Sequence, residues 1–293
     1  LTSYFFFQNP GISISFSALD GTSELLEELA SLLDLAPARL PGDVEVVVYS
    51  FRDPPPEVET LLMASGGASA WRSQVVRDGI LIHESPDRTR YLCGIIFSPL
   101  FYARREVKWR VISFMVGSVL GLLSDRLLLI HGALIADGEK AHVLTAPSNV
   151  GKTTAASRVP PPWRAVTDDL VAAVKTPEGY ALHPLPTWSQ LFLDPDTFRR
   201  VDLDRPFSLH AVYLLEQSAA DAVEDLQANQ AITRLFLYSY QAYMVYFEDS
   251  PLDVRIRLKQ EILMHARQIV QTTPCRVMKI SRDGRFWEHF VPA

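Results

Sequence analysis

The segment Ala146-Pro-Ser-Asn-Val-Gly-Lys-Thr153 constrains this chain more than any other. It follows the phosphate-loop pattern G-x-x-x-x-G-K-[ST] at every position but the first, where Ala146 stands in place of glycine. Residues 141–145 read as a strand entering the loop, and residues 153–158 are compatible with a helix leaving it. In such a strand-loop-helix, successive backbone N–H groups and the helix N-terminus converge on phosphate oxygens. Lys152 would hold the β- and γ-phosphates as a point charge, and the Thr153 hydroxyl would serve Mg²⁺. Ser148, Asn149, Val150, Gly151 and Thr154 complete the expected cradle. The Cβ of Ala146 discourages positive φ, whereas Asn149 belongs to the side chains that best tolerate a left-handed backbone. The helix has to be short, because Pro160-Pro161-Pro162 ends it.

Two adjacent carboxylates, Asp168 and Asp169, follow a short strand at residues 164–167 and precede another at 170–174. One can accept the proton of an attacking hydroxyl while the other helps to hold Mg²⁺. We assign Asp168 the role of base and Asp169 that of metal partner. Neighbours on an extended strand point to opposite faces, so both reach one site only where the strand end is distorted. An Asp-Asp pair can equally mark an ordinary turn. His131 lies in the apolar strand 127–135, which the turn Asp137-Gly138-Glu139-Lys140 brings back beside the strand entering the loop. Most histidines in apolar strands are core residues, but this adjacency makes His131 a candidate catalytic residue. His183 and Trp188, in a proline-rich loop over 183–189, could form a wall of the same site. The seven histidines and two cysteines show no metal-ligand spacing.

The rest of the chain reads as an α/β protein of the α+β type with mixed sheets. Residues 12–17 alternate, placing Ile12, Ile14 and Phe16 on one face of a strand, and Asp20-Gly21 turns the chain. Thr22 or Ser23 can cap a helix over 24–35. Residues 44–51, 79–83 and 91–97 read as further strands, with Pro54-Pro55-Pro56 as a break. Residues 102–123 begin charged and become apolar all round, as in a helix buried over its second half. Short strands at 164–167 and 170–174, a turn at 177–179, helices over 229–246 and 252–271, and a last hairpin around Asp283-Gly284 follow. The expected organisation is an N-terminal α+β domain over 1–100, a connecting helix over 101–126 and a nucleotide-binding domain over 127–293.

Composition narrows the partners. With 48% apolar residues the chain can build sizeable cores. A formal charge of −6 argues against a broad nucleic-acid footprint or an anionic membrane surface, though not against phosphate held by one lysine and backbone N–H groups. The apolar run 111–123 is too short to span a bilayer. Cys93 and Cys275 are too few for a disulfide framework, and no secretion signal is visible, so a reducing cytoplasm is the expected compartment.

His131-Gly132 before a hairpin, the loop Ala146 to Thr153, and Thr167-Asp168-Asp169-Leu-Val171 together resemble the HPr kinase family, whose core is shared with phosphoenolpyruvate carboxykinases. Gly179-Tyr180 through Pro186-Thr-Trp188, Leu209-His-Ala-Val-Tyr-Leu-Leu-Glu216 and Gly284-Arg-Phe-Trp287 are similar to HPr kinase-like proteins found with peptide-modification genes. These include lasso-peptide kinases and the HPr kinase-like component of the SynChlorMet cassette. The resemblance covers roughly residues 127 to 293. It implies bound ATP and Mg²⁺ and phosphorylation of a serine or threonine hydroxyl on a peptide or small protein. It matches Lys152 and Thr153 to nucleotide and metal roles, Asp168 and Asp169 to acid-base and metal roles, and His131 to the family's active-site histidine. Relatives of this kind are often homo-oligomers. That branch usually carries glycine where this chain has Ala146 and Asn149, and its arginine-glycine signature is missing here, which argues against HPr itself as substrate. Two other functions fit the same residues: a peptide-binding protein on a kinase-like scaffold, and a nucleotide-hydrolysing switch.

Overall fold

β-Branched and aromatic runs over the first hundred residues assemble into a six-stranded mixed sheet. A computed structural model describes residues 3–9, 12–19, 21–33, 35–64, 66–76, 80–95, 105–185 and 206–290. Trp188 lies outside them. The strands are β1 (Ser3–Asn9), β2 (Ile12–Ala18), β3 (Val44–Ser50), β4 (Arg72–Val76), β5 (Ile80–Glu84) and β6 (Arg90–Ile95), in the order β1-β2-β3-β6-β5-β4. β2, β3 and β6 run parallel, and the outer pairings are antiparallel. Ile12, Ile14 and Phe16 are buried, as their alternation requires, but so are Ser15 and Ser17, because the central parallel strands are covered on both faces.

Helices α1 (Ser23–Leu33), α2 (Pro56–Ala64) and α3 (Arg105–Leu122) complete the first part. Thr22 does not cap α1 in the expected way. Its hydroxyl donates to the carbonyls of Leu19 (2.8 Å) and Val48 (3.0 Å), tying the start of the helix to β3. The second half of α3 is buried. Gly117 and Gly121 let the rings of Tyr246 and Phe247 lie against that helix, since a Cβ at either position would come within 2.4 Å of a ring atom.

The second sheet holds β7 (Leu127–Asp137), β8 (Lys140–Thr145), β9 (Arg164–Thr167), β10 (Leu170–Thr176), β11 (Gly179–Pro184), β12 (Phe207–Gln217), β13 (Ala222–Asp225) and β14 (Cys275–Ile280). Its order is β11-β10-β7-β8-β12-β14-β13, with β9 also beside β7. β8, β12 and β14 are parallel; β11 pairs with β12 as well as β10, so five strands close into a ring. The helices are α4 (Lys152–Arg158), α5 (Ala228–Phe247) and α6 (Leu252–Thr272). The expected terminal hairpin is absent: after β14 the chain bends at 282–283 and forms a 3₁₀ turn at Phe286–His289.

The chain is thus an α+β protein with two mixed sheets. It divides into two compact units, one of residues 1–123, 200–204 and 245–255, the other of 124–199, 205–244 and 256–293. No helix among the described residues is long and apolar enough to cross a membrane.

Candidate functional site

Three adjacent strands, β10, β7 and β8, carry the chemistry-bearing residues to one level of the second sheet. β7 lies in the middle, with Leu170 opposite His131 on one side and Thr145 opposite Gly132 on the other. Gly132 is required by close packing, because a Cβ there would meet the Leu144 carbonyl oxygen at 2.8 Å. The Thr145 hydroxyl donates to the His131 carbonyl at 2.8 Å and locks the two strands where the loop begins.

β9 and β10 lie end to end along β7: Thr167 opposite Leu134 keeps the register of Leu170 opposite His131, and an irregularity one residue back shifts Ala165 and Arg164 by one position. That junction is the Asp168-Asp169 bend. A bend there departs from regular strand geometry, and the charges of both aspartates act on Lys152. The backbone stays attached to β7, since the Gly132 N–H donates to the Asp169 carbonyl at 2.8 Å. Asp169 Oδ1 comes 3.7 Å from His131 Nε2. Asp168 is buried, and Asp169 is half-exposed.

The loop curls through two left-handed residues, Asn149 (φ 67°) and Gly151 (φ 107°). This is the conformation for which asparagine and glycine are the best-suited residues. Ala146 is buried and has no positive φ, so the missing first glycine costs the backbone nothing here. Ser148, Asn149, Thr153 and Thr154 are exposed, and Val150 and Gly151 partly so. Lys152 is buried: its Nζ donates to the carbonyls of Ala146 (2.9 Å) and Pro147 (3.0 Å).

Burial pushes Lys152 below the ordinary lysine value, opposed by the nearby charges of Asp169 and Asp168. His131 is pushed down to about 4, by burial first and by the Lys152 charge second. Its imidazole is therefore neutral near pH 7, and its approach to Asp169 is a polar contact and not an ion pair. Lysine, two carboxylates and a neutral imidazole share one electrostatic neighbourhood. Such a group can hold an anionic ligand, take a proton from a hydroxyl and offer carboxylate oxygens to a hard cation.

Several contributors have no local signature. Gln217, at the end of β12, donates from Nε2 to the Val150 carbonyl at 3.2 Å. Arg158, at the end of α4, donates to the carbonyls of Ser281 (2.9 Å) and Gly284, with its guanidinium 5.5 Å from the Phe286 ring centroid. These contacts brace the loop and its helix from segments distant in sequence. His183 is buried in β11 and not in a loop.

Residues 104–291 match the sequence profile of the SynChlorMet cassette protein ScmC. The chain belongs to the ScmC family. The matched region runs through α3 to the terminal 3₁₀ turn, so every residue of the site described above lies inside the ScmC profile. No curated protein matches the chain.

Proposed function

We propose that this ScmC-family protein is an HPr kinase-like phosphotransferase that uses ATP and Mg²⁺ to phosphorylate a serine or threonine hydroxyl of a peptide. The observation that carries this reading is the convergence of Lys152, Asp168, Asp169 and His131 around a loop with two left-handed residues. Membership in a cassette protein family supports an acceptor made by the same cassette, such as a ribosomal precursor peptide.

The residues suit a nucleotide and its cation. The exposed loop surface over 148–154 leaves backbone room for phosphates, and Thr153 and Asp169 are accessible oxygen donors of the kind Mg²⁺ prefers. Mg²⁺ held by these oxygens would neutralise phosphate charge as the γ-phosphoryl group passes from ATP to the acceptor oxygen and ADP leaves. Lys152 exchanges its two loop carbonyls for phosphate oxygens. Asp168 receives the proton of the acceptor hydroxyl, while neutral His131 stays beside Asp169 and orients it.

Transfer from labelled ATP to candidate cassette peptides tests the reading. Label should reach the peptide and disappear in Asp168→Asn and Lys152→Ala. Absence of any nucleotide binding in a calorimetric titration overturns it. The hold of Lys152 on its own loop favours a second reading, a peptide-binding protein with weak or no catalysis; peptide binding with no transfer of label from ATP in the presence of Mg²⁺ distinguishes that case.

A further inference from the structure

β4 is the last strand of the six-stranded sheet. It pairs with β5 on one side, Ser73 opposite His83 and Val75 opposite Leu81, and no described strand pairs with its other side. A free edge presents unpaired backbone N–H and C=O groups, which proteins usually blunt or cover. Here a cavity of about 400 Å³ opens beside it, lined by Gln74 and Val75 from the strand and by Val245, Tyr246, Glu248 and Asp249. All of these belong to the first unit.

The lining has a definite chemistry. Val75 is 67% exposed and Val245 44%, an apolar step at the mouth. Glu248 and Asp249 are exposed carboxylates that follow directly on the C-terminus of α5, whose free carbonyls add to the negative field. Arg72 answers Asp253 at 3.4 Å, so Glu248 and Asp249 are the surplus charge. Gln74, only 6% exposed, has an amide oxygen that makes no hydrogen bond among the described residues. A buried carbonyl of this kind calls for a donor.

We propose that the first unit docks an extended, basic peptide segment of another chain along β4. The segment adds a strand to the sheet, sets a Lys or Arg side chain against Glu248 and Asp249, and rests an apolar side chain on Val75 and Val245. A donor entering the cavity serves the Gln74 amide oxygen. This docking does not depend on the nucleotide reading of Lys152.

The test uses the full chain and three fluorescein-labelled synthetic peptides read by fluorescence anisotropy: alternating Lys and Val, alternating Glu and Val, and the Lys–Val peptide with a central proline. The Lys–Val peptide should bind about tenfold or more tightly than the other two, and Glu248→Lys with Asp249→Lys should weaken it by a similar factor. Val75→Lys, also on the surface, should weaken it too while the thermal melt stays unchanged. Lys152→Ala should leave peptide binding intact, which separates this site from the nucleotide site. Equal binding of the acidic peptide, or binding that survives both charge reversals, overturns the proposal. So does sedimentation showing a dimer that Val75→Lys converts to monomer, because the edge would then be covered by a second copy.

Discussion

Lys152 Nζ lies 2.9 Å from the carbonyl oxygen of Ala146, so the lysine of the loop closes onto the residue that opens it. The residue that departs from the glycine pattern contributes through its backbone, which any side chain can supply. Under the proposed function the same contact sets what nucleotide binding would have to undo, because the ammonium would trade carbonyl oxygens for phosphate oxygens.

Lys152→Ala should therefore abolish binding of ATP with Mg²⁺ in a calorimetric titration while the far-UV circular dichroism remains that of the parent. Lys152→Arg should fail as well. A planar guanidinium cannot take the place of a compact ammonium seated between two loop carbonyls.

The two aspartates should separate by phenotype. Asp168→Asn should slow peptide phosphorylation by roughly 10²–10⁴-fold, the usual worth of a positioned base, with nucleotide affinity little changed. Asp169→Asn should instead raise the Mg²⁺ concentration needed for half-maximal transfer. Initial rates measured against Mg²⁺ for both variants check the assignment.

Asn149 has φ 67°, so its replacements should rank by their tolerance of a left-handed backbone. Asn149→Gly should be close to neutral, and Asn149→Val should destabilise by about 1–2 kcal/mol. Urea titration of the two variants gives the comparison directly.

Gly132→Ala should cost about 1–3 kcal/mol, since its Cβ would press on the Leu144 carbonyl and push β7 from β8. The strain falls between His131 and Thr145. Nucleotide binding should thus weaken together with the drop in melting temperature.

His142 is fully buried on β8 among Trp163, Tyr213 and Phe290, with His210 beside it. Burial first, and the neighbouring His210 second, push it down to about 4. Below pH 6.5 the unfolded chain binds a proton that the folded protein refuses, so stability falls as pH drops and levels off below about 4. The full loss is roughly 3 kcal/mol for this residue. His142→Phe should flatten that part of the stability–pH curve, as urea melts between pH 4 and 7 would reveal.

Much of the site was legible in the chain because its signals are local. A strand, a loop with Asn149 and Gly151 at its left-handed positions, a lysine and a short helix closed by prolines are all written within about twenty residues, and φ preference and hydrophobic period are properties of neighbours. The hairpin from β7 into β8 is equally local and brought His131 toward the loop. Other features needed the folded chain. β12 and β14 are parallel partners reached through long crossovers, so neither their pairing nor the bond from Gln217 to Val150 leaves a trace in any short window. The Asp168-Asp169 pair looked like an ordinary turn by itself; only its attachment to β7, through the Gly132 N–H, makes it a bend that faces Lys152. Local conformational preference is encoded residue by residue, whereas the proximity of a carboxylate to a lysine depends on which strands pair, and that is decided by burial and hydrogen bonding over the whole sheet.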